Sequence, residues 1–437
     1  MALSVLLGGG GSPEPLLELA LQLVLAALFG WWLLRDHEGL ARVPRLVWWI
    51  GGLIAGLHLA QLVPLPPALW HAMPGRDGQI AALELVGADA DWRTLTLSPA
   101  RTLASLLAAL SALGCLTITA SLPDRSRWVL LAVTAAAGAA TLLVGAAQLS
   151  GGSGSWLRFF DTESPWLNGF QANHNSTADL ILIAMLAMAA LGRRALDRGL
   201  ARPSLVQAAL TLSAVDAVMV LGLFLTGSRA GIGLLPVMLI FQYLILLPDT
   251  RIRWARLLGS LGGVLAFGGL AFVLLRENRA VQQVLQRFSL EGEFRPELWR
   301  DSLYALGQYW PAGSGQGTFT PVLIAVERLE VVDPTLPNRA HNDFLELAIG
   351  AGLPGVLVLA AVAAILLAAT VRKLREPGGE ARAQAMFAIG TLTIAALHSL
   401  VDYPMRSMAL AGLVAMAAGL LFTPQAPGSG QAEEPQA

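Results

Sequence analysis

Eleven runs of about 20 apolar residues, separated by short charged or turn-forming connectors, constrain this chain more than any other feature. They fall at about 15–34, 46–63, 102–120, 128–149, 175–192, 205–225, 231–247, 255–275, 350–371, 384–401 and 406–422. Each is long enough for one helix to cross the hydrocarbon of a bilayer, where every backbone polar group must be satisfied within the helix. Composition agrees. Of 437 residues, 55% are hydrophobic and 14% charged, too few charges to cover a water-soluble surface and too much apolar surface for a disordered chain. The expected fold is an all-α polytopic membrane protein of about eleven transmembrane helices, with a range of ten to twelve.

Basic residues set the direction. Arg35, Arg42, Arg45, Arg125, Arg127, Arg193, Arg194, Arg198, Arg202, Arg251, Arg253, Arg256, Arg372, Lys373, Arg375 and Arg382 all fall in alternate connectors, which places those connectors in the cytoplasm. The N-terminus is then outside and the C-terminus inside. Residues 1–14 lack a basic start and a cleavage pattern, so no removable signal peptide is expected. Residues 1–422 read as one transmembrane domain, and the Pro-, Gly- and Glu-containing tail 423–437 reads as disordered. Two outer segments exceed simple connectors, 64–101 and 276–349. Within the second, 296–310 is expected to be a helix, with Trp299, Leu303, Leu306 and Trp310 as a stripe against the membrane domain or its interface.

The net charge of −1 argues against nucleic acid as a partner, and the lone Cys115 excludes an internal disulfide or a cysteine-based zinc site. No metal or cofactor motif is present; the glycine-rich run at 313–319 fits no phosphate-loop template and reads as a turn.

Polar residues gather toward one membrane face. Asn173, His174 and Asn175 start the fifth run, and Arg229 lies in the TGSRAG turn between the sixth and seventh. Arg300 is on the outer-loop helix, Arg339 and His341 precede the ninth run, and His398 and Asp402 end the tenth. Each has a plainer reading. Arg229 can snorkel to the interface, and Arg300 beside Asp301 can be a solvated charge. His174 and His341 can be helix-start residues, His341 satisfied by Asn338 or Asp343. His398 and Asp402, four apart, can share a helix face in a structural hydrogen bond rather than a metal site. Against this, glycines 227 and 231 around Arg229 would offer backbone N–H groups beside a guanidinium, a good anion cradle. Asp216 lies mid-span, so it must face the bundle interior, as a proton-relay residue or, more simply, in a structural hydrogen bond.

The segments NRAHNDFLELAIGAGLPGVL (338–357), TGSRAG (226–231), ELWRDSL (297–303), PAGSGQGTF (311–319), Asn173-x-Asn175-x-x-Ala178 and HSLVDYP (398–404) occur in an order that resembles the O-antigen ligase and polymerase superfamily. The resemblance covers about residues 140–420. It implies a metal-independent, cofactor-free glycosyltransferase of the bacterial inner membrane, with an undecaprenyl-diphosphate-linked glycan as donor at the periplasmic face. The acceptor would be a hydroxyl on lipid A–core, a growing glycan or a protein. Carried over by motif, Arg229 and Arg300, with Arg339 as a further candidate, would bind the donor diphosphate, and His341 would be the catalytic base or would position the acceptor. Asn173, Asn175, His398 and Asp402 would support them. Ligase, chain polymerase and protein O-oligosaccharyltransferase share these motifs. A lipid-linked sugar flippase is the reading from another class; it would need polar residues through the membrane depth.

Overall fold

The computed structural model describes residues 1–10, 15–152, 154–160, 164–200, 205–247, 294–332, 337–376 and 378–425, with isolated positions between 262 and 282. Among the described residues the chain is all-α apart from one two-residue strand pair. In order come α1 (Ala2–Leu7), α2 (Pro15–Arg35), α3 (Arg45–Leu62), β1 (Pro64–Leu65), α4 (Pro67–Trp70), α5 (Asp77–Glu84), β2 (Arg93–Thr94), α6 (Pro99–Ser121) and α7 (Asp124–Ser150). Then follow α8 (His174–Asp197), α9 (Leu205–Leu225), α10 (Arg229–Leu246), α11 (Arg295–Tyr309), α12 (Phe319–Val326), α13 (Asp343–Arg375), α14 (Gly379–His398) and α15 (Met408–Leu420).

Ten of the eleven expected runs are helices here, and seven of the described helices are long and apolar enough to cross a membrane. The expected run at 255–275 and the tail beyond Gln425 lie outside the described residues. Trp31, Leu34, Trp49, Leu143, Leu357 and Leu367 point outward from the bundle, a waste of apolar surface in water but the natural contact with lipid.

α8 is the central helix. It is buried along nearly its whole membrane length and packs against α7, α10 and α14. Close approach is built from small residues: a Cβ on Gly138 of α7 would meet that of Ala184, and one on Gly231 of α10 would meet that of Ala178.

The bundle has two polar ends. At one, Arg193 pairs with Asp197, Arg198 with Glu380 at 2.6 Å and Lys373 with Glu376 at 2.7 Å. There the buried Arg127 guanidinium donates to the carbonyls of Ala120, Leu122, Leu420 and Phe422, tying α6, α7 and the end of α15. At the other end, the N-terminal segment is pinned by Ala172 N–H to Gly9 O and Ala409 N–H to Gly8 O. Gln425 N–H donates to Arg42 O at the basic end, so the first and last described residues lie at opposite ends of the bundle.

The described parts of 64–101 and 276–349 cap the bundle. β1 and β2 pair antiparallel, Pro64 opposite Thr94. Buried Trp70 donates its indole N–H to Asp91 O, and buried Arg76 donates to Gln79 and Leu95 O. α11 matches the expected helix within a residue, but its buried face is Leu298, Asp301, Ser302, Ala305 and Tyr309. The expected stripe is split. Trp299 and Leu306 lean inward, while Leu303 and Trp310 are exposed. The rotation follows from Asp301, whose carboxylate is buried because Arg328 Nε reaches it at 2.6 Å.

α13 is two helices joined at a break. Gly352 has φ 56° and ψ −149°, a backbone conformation essentially confined to glycine, and Pro354 follows. The break frees carbonyls that the loop 311–317 then satisfies. Ser314 N–H donates to Ile349 O at 2.9 Å, Gly315 N–H to Gly350 O at 2.8 Å, and Pro311 O accepts from Leu353 N–H at 2.9 Å. Gln61 of α3 closes the joint, donating to Gly350 O at 2.9 Å and accepting from Gln316 N–H at 2.8 Å. The glycine-rich run is a turn, as expected, and it is also the plug that stabilises the broken helix.

Candidate active site

The site is assembled where α8, α10, α13 and α15 begin and α14 ends. All four beginnings carry side-chain caps: Asn173 accepts from Asn175 N–H, Ser228 from Gly231 N–H, Asn342 from Leu345 N–H and Ser407 from Leu410 N–H. The positive ends of four helix dipoles therefore face this end of the bundle.

His341 occupies the centre. Its φ of 48° is the one positive value on a non-glycine residue among the described residues. A left-handed residue costs about 1–2 kcal/mol, and the surroundings hold it there. Ala340 N–H donates to Glu346, Ala340 O accepts from the Trp299 indole at 3.0 Å, and Asp343 N–H donates to Ser399 O at 2.9 Å. The imidazole is clamped edge-on between Phe294, at 5.1 Å, and Tyr403, at 4.8 Å.

Its Nδ1 lies 3.2 Å from Asp402 Oδ1, an ion-pair contact off the line of a good hydrogen bond. The partner of His341 is thus Asp402, not Asn338 or Asp343. A carboxylate on Nδ1 selects the tautomer protonated there and leaves Nε2 as the basic nitrogen. Asp402 itself is buried, accepts from Asn175 Nδ2 and from its neighbour Tyr403 N–H, and lies just past the end of α14. Burial penalises its charge, but the His341 contact and nearby His398 hold the carboxyl below the usual carboxylate range. Tyr403 is pushed up to about 12 by burial and by the Asp402 charge, so it stays neutral, with Asn173 as its hydrogen-bond partner.

His398 and Asp402 do not share a helix face as their spacing suggested, because α14 ends at His398. The closer partner of His398 is Asp179 of α8, at 2.6 Å; Asp402 is 4.0 Å from its other nitrogen.

On one side of His341 lies a second charged group. Arg339 reaches Glu346 at 3.1 Å, and Arg406 reaches the same carboxylate at 3.2 Å and Asp343 at 3.5 Å. Burial works against the Arg406 charge, but the two carboxylates more than restore it. Below this group a cavity of about 590 Å³ opens between α3 and α6 on one side and α13 and α15 on the other. Arg101, Arg339, Arg406 and His58 line its polar mouth, and Leu113, Leu116, Leu359, Leu366, Ala415 and Ala418 its apolar body. Its reach from Arg406 to Ala418 covers most of the length of α15.

Arg229 stands at the same end, one helix away. It is the first residue of α10, half-buried, where a cation sits against the positive end of its own helix. Gly227, at φ 63°, packs its backbone on Trp166, which also approaches the ring of His174. The expected contribution of Gly231 to an anion cradle does not hold, since its N–H is taken by Ser228 Oγ and its missing side chain serves the α8 contact. Arg300 is exposed on α11. Asp216 finds its partner in Gln242 of α10, at 2.7 Å, a structural pair within the bundle.

Asn173, Asn175, Arg339, His341, His398 and Asp402, expected at one end, stand in one cluster. Asp179, Glu346, Tyr403 and Arg406 join them unexpected from the sequence, as does Arg295, whose charge acts on Asp402 and His398. Tyr403 and Arg406 sat within or beside the HSLVDYP motif; Asp179 and Arg295 carried no local signal.

Compared with known families, residues 214–360 match the family described as O-antigen ligase. No curated protein matches the chain.

Proposed function

We propose, from the match of residues 214–360 to the family described as O-antigen ligase, that the protein transfers an undecaprenyl-diphosphate-linked glycan to a hydroxyl acceptor at the periplasmic face of the bacterial inner membrane. The observation that carries this reading is the His341–Asp402 dyad, which stands beside Arg339 and Arg406 in the chain, the two arginines that with Arg101 line the polar mouth of an apolar cavity. The N-terminus is periplasmic and the basic end cytoplasmic.

In this account Nε2 of His341 takes the proton of the acceptor hydroxyl, whose oxygen attacks the anomeric carbon. The bond from that carbon to the diphosphate breaks and its electron pair leaves with the phosphate. Arg229, Arg300 and Arg339 offset the charge that develops there, and Asp402 stabilises the imidazolium on His341. The lipid-facing cavity takes an isoprenoid or acyl tail. Its apolar body speaks for a tail rather than for a sugar, which favours transfer over glycan transport.

Deleting the gene and extracting lipid-linked intermediates tests the reading. Full-length glycan stalled on undecaprenyl diphosphate, with bare acceptor, is the result expected of a ligase; single repeat units mark a polymerase. Lipid-linked glycan trapped on the cytoplasmic face would refute glycosyl transfer.

A further inference from the structure

Behind His341 lies a line of three buried ionisable groups. α8 and the end of α14 meet in two rungs, each built on an i,i+4 pair. Asn175 donates to Asp402, and one turn deeper Asp179 Oδ1 meets His398 Nδ1 at 2.6 Å. His398 Nε2 then faces Asp402 Oδ2 at 4.0 Å, and Asp402 Oδ1 faces His341 Nδ1 at 3.2 Å. Asp179, His398 and Asp402 are each 2% exposed or less. Asp179 Oδ2 and His398 Nε2 have no hydrogen-bond partner, so neither group is fully compensated by the pairing.

A plain tie between two helices does not need this arrangement. Buried ion pairs contribute little net stability once desolvation is counted, and packed apolar side chains hold helices as well or better. The rest of the buried face of α8 is apolar over this stretch, from Leu180 to Leu186. Signs alternate along the line. With a carboxylate facing each ring nitrogen, His398 carries positive charge, and Asp402 is then shared between two imidazoles.

We propose that Asp179 and His398 form a positioning pair that acts through Asp402, dividing that carboxylate between two imidazoles and so moderating its pull on His341. The proposal rests on the glycosyl-transfer reading. Without Asp179, His398 loses its charge, and the whole of the Asp402 charge falls on His341. The other charged groups facing the line are Arg295 at the start of α11, Arg339 with Glu346 and Asp343 around the start of α13, and Arg406 and Tyr403 from the turn after α14. All of these remain in the variants below.

The test is the pH dependence of glycan transfer by purified Asp179→Asn and His398→Gln proteins, from a lipid-linked diphosphate donor, between pH 5 and 9. In both, the acid limb should move up by about one pH unit, with about a tenfold loss at pH 6 that recovers by pH 9. The shape of the profile does not depend on how much protein folds. A uniform loss with an unmoved limb would mean a structural tie and overturn the proposal. Histidine-selective 15N NMR of the unmutated protein reads the same pair without a variant. One of its six imidazoles should stay charged at pH 8, and six neutral rings would overturn it. A wild-type protein inactive at every pH refutes the functional reading and this proposal together; active wild type with unshifted variants refutes this proposal alone.

Discussion

Replacing Asp402 by Asn removes one charge and almost no volume. The variant keeps an oxygen for Tyr403 N–H, and Asn175 can turn its amide to meet the new side chain. What is lost is the negative charge 3.2 Å from His341 Nδ1. A unit charge pair at that distance is worth about 5 kcal/mol at an effective dielectric constant of 20. The positive charge on His398 behind Asp402 and the partial exposure of His341 reduce this, and we take about 3 kcal/mol as the lost stabilisation of the imidazolium. At 25 °C that corresponds to about a hundredfold fall in kcat/KM. The assay is transfer from a lipid-linked diphosphate glycan by protein in nanodiscs, with circular dichroism confirming helix content. The acid limb should move to lower pH, opposite to the shift expected for Asp179→Asn. A loss smaller than threefold, or a limb that moves up, would refute the dyad.

Three further outcomes follow from the geometry. Gly352→Ala places a Cβ about 2.0 Å from Pro311 O in a conformation suited only to glycine, so it should cost more than about 3 kcal/mol and appear as a lost or much lowered melting transition. Tyr403→Phe keeps the ring against His341 but drops the bond to Asn173; stability should fall by about 1 kcal/mol and kcat by less than tenfold, whereas Tyr403→Ala should lose far more activity. The depressed Asp402 carboxyl stabilises the folded state above its unfolded value of about 3.9 and loses that contribution as pH falls through the lower folded value, so the melting gap between wild type and Asp402→Asn should close as pH falls below 4.

The spans were legible because an apolar run of membrane length is a one-dimensional signal. His341 was legible because polar residues beside such runs are few, and His341, His398 and Asp402 stood out against an apolar background. The pairing was not. Asp179 is hidden in HNSTADLILIA, and the residue that explains it is 219 positions away. The face of α11 was misread for the same reason, since Asp301 turns inward only because Arg328 waits there. The break at Gly352, ten residues into α13, was not legible. That the loop at 311–317 would plug the resulting break depended on contacts between segments 30 to 40 residues apart, and on Gln61 from α3.

The central claim is that His341 removes the acceptor proton. Purified wild type and His341→Ala, reconstituted with a lipid-linked diphosphate glycan and a hydroxyl acceptor, test it most directly by the appearance of coupled product. The account predicts product from wild type and a loss of at least about a thousandfold in the variant, with its helix content and melting unchanged. Transfer by His341→Ala at a rate close to wild type would contradict it.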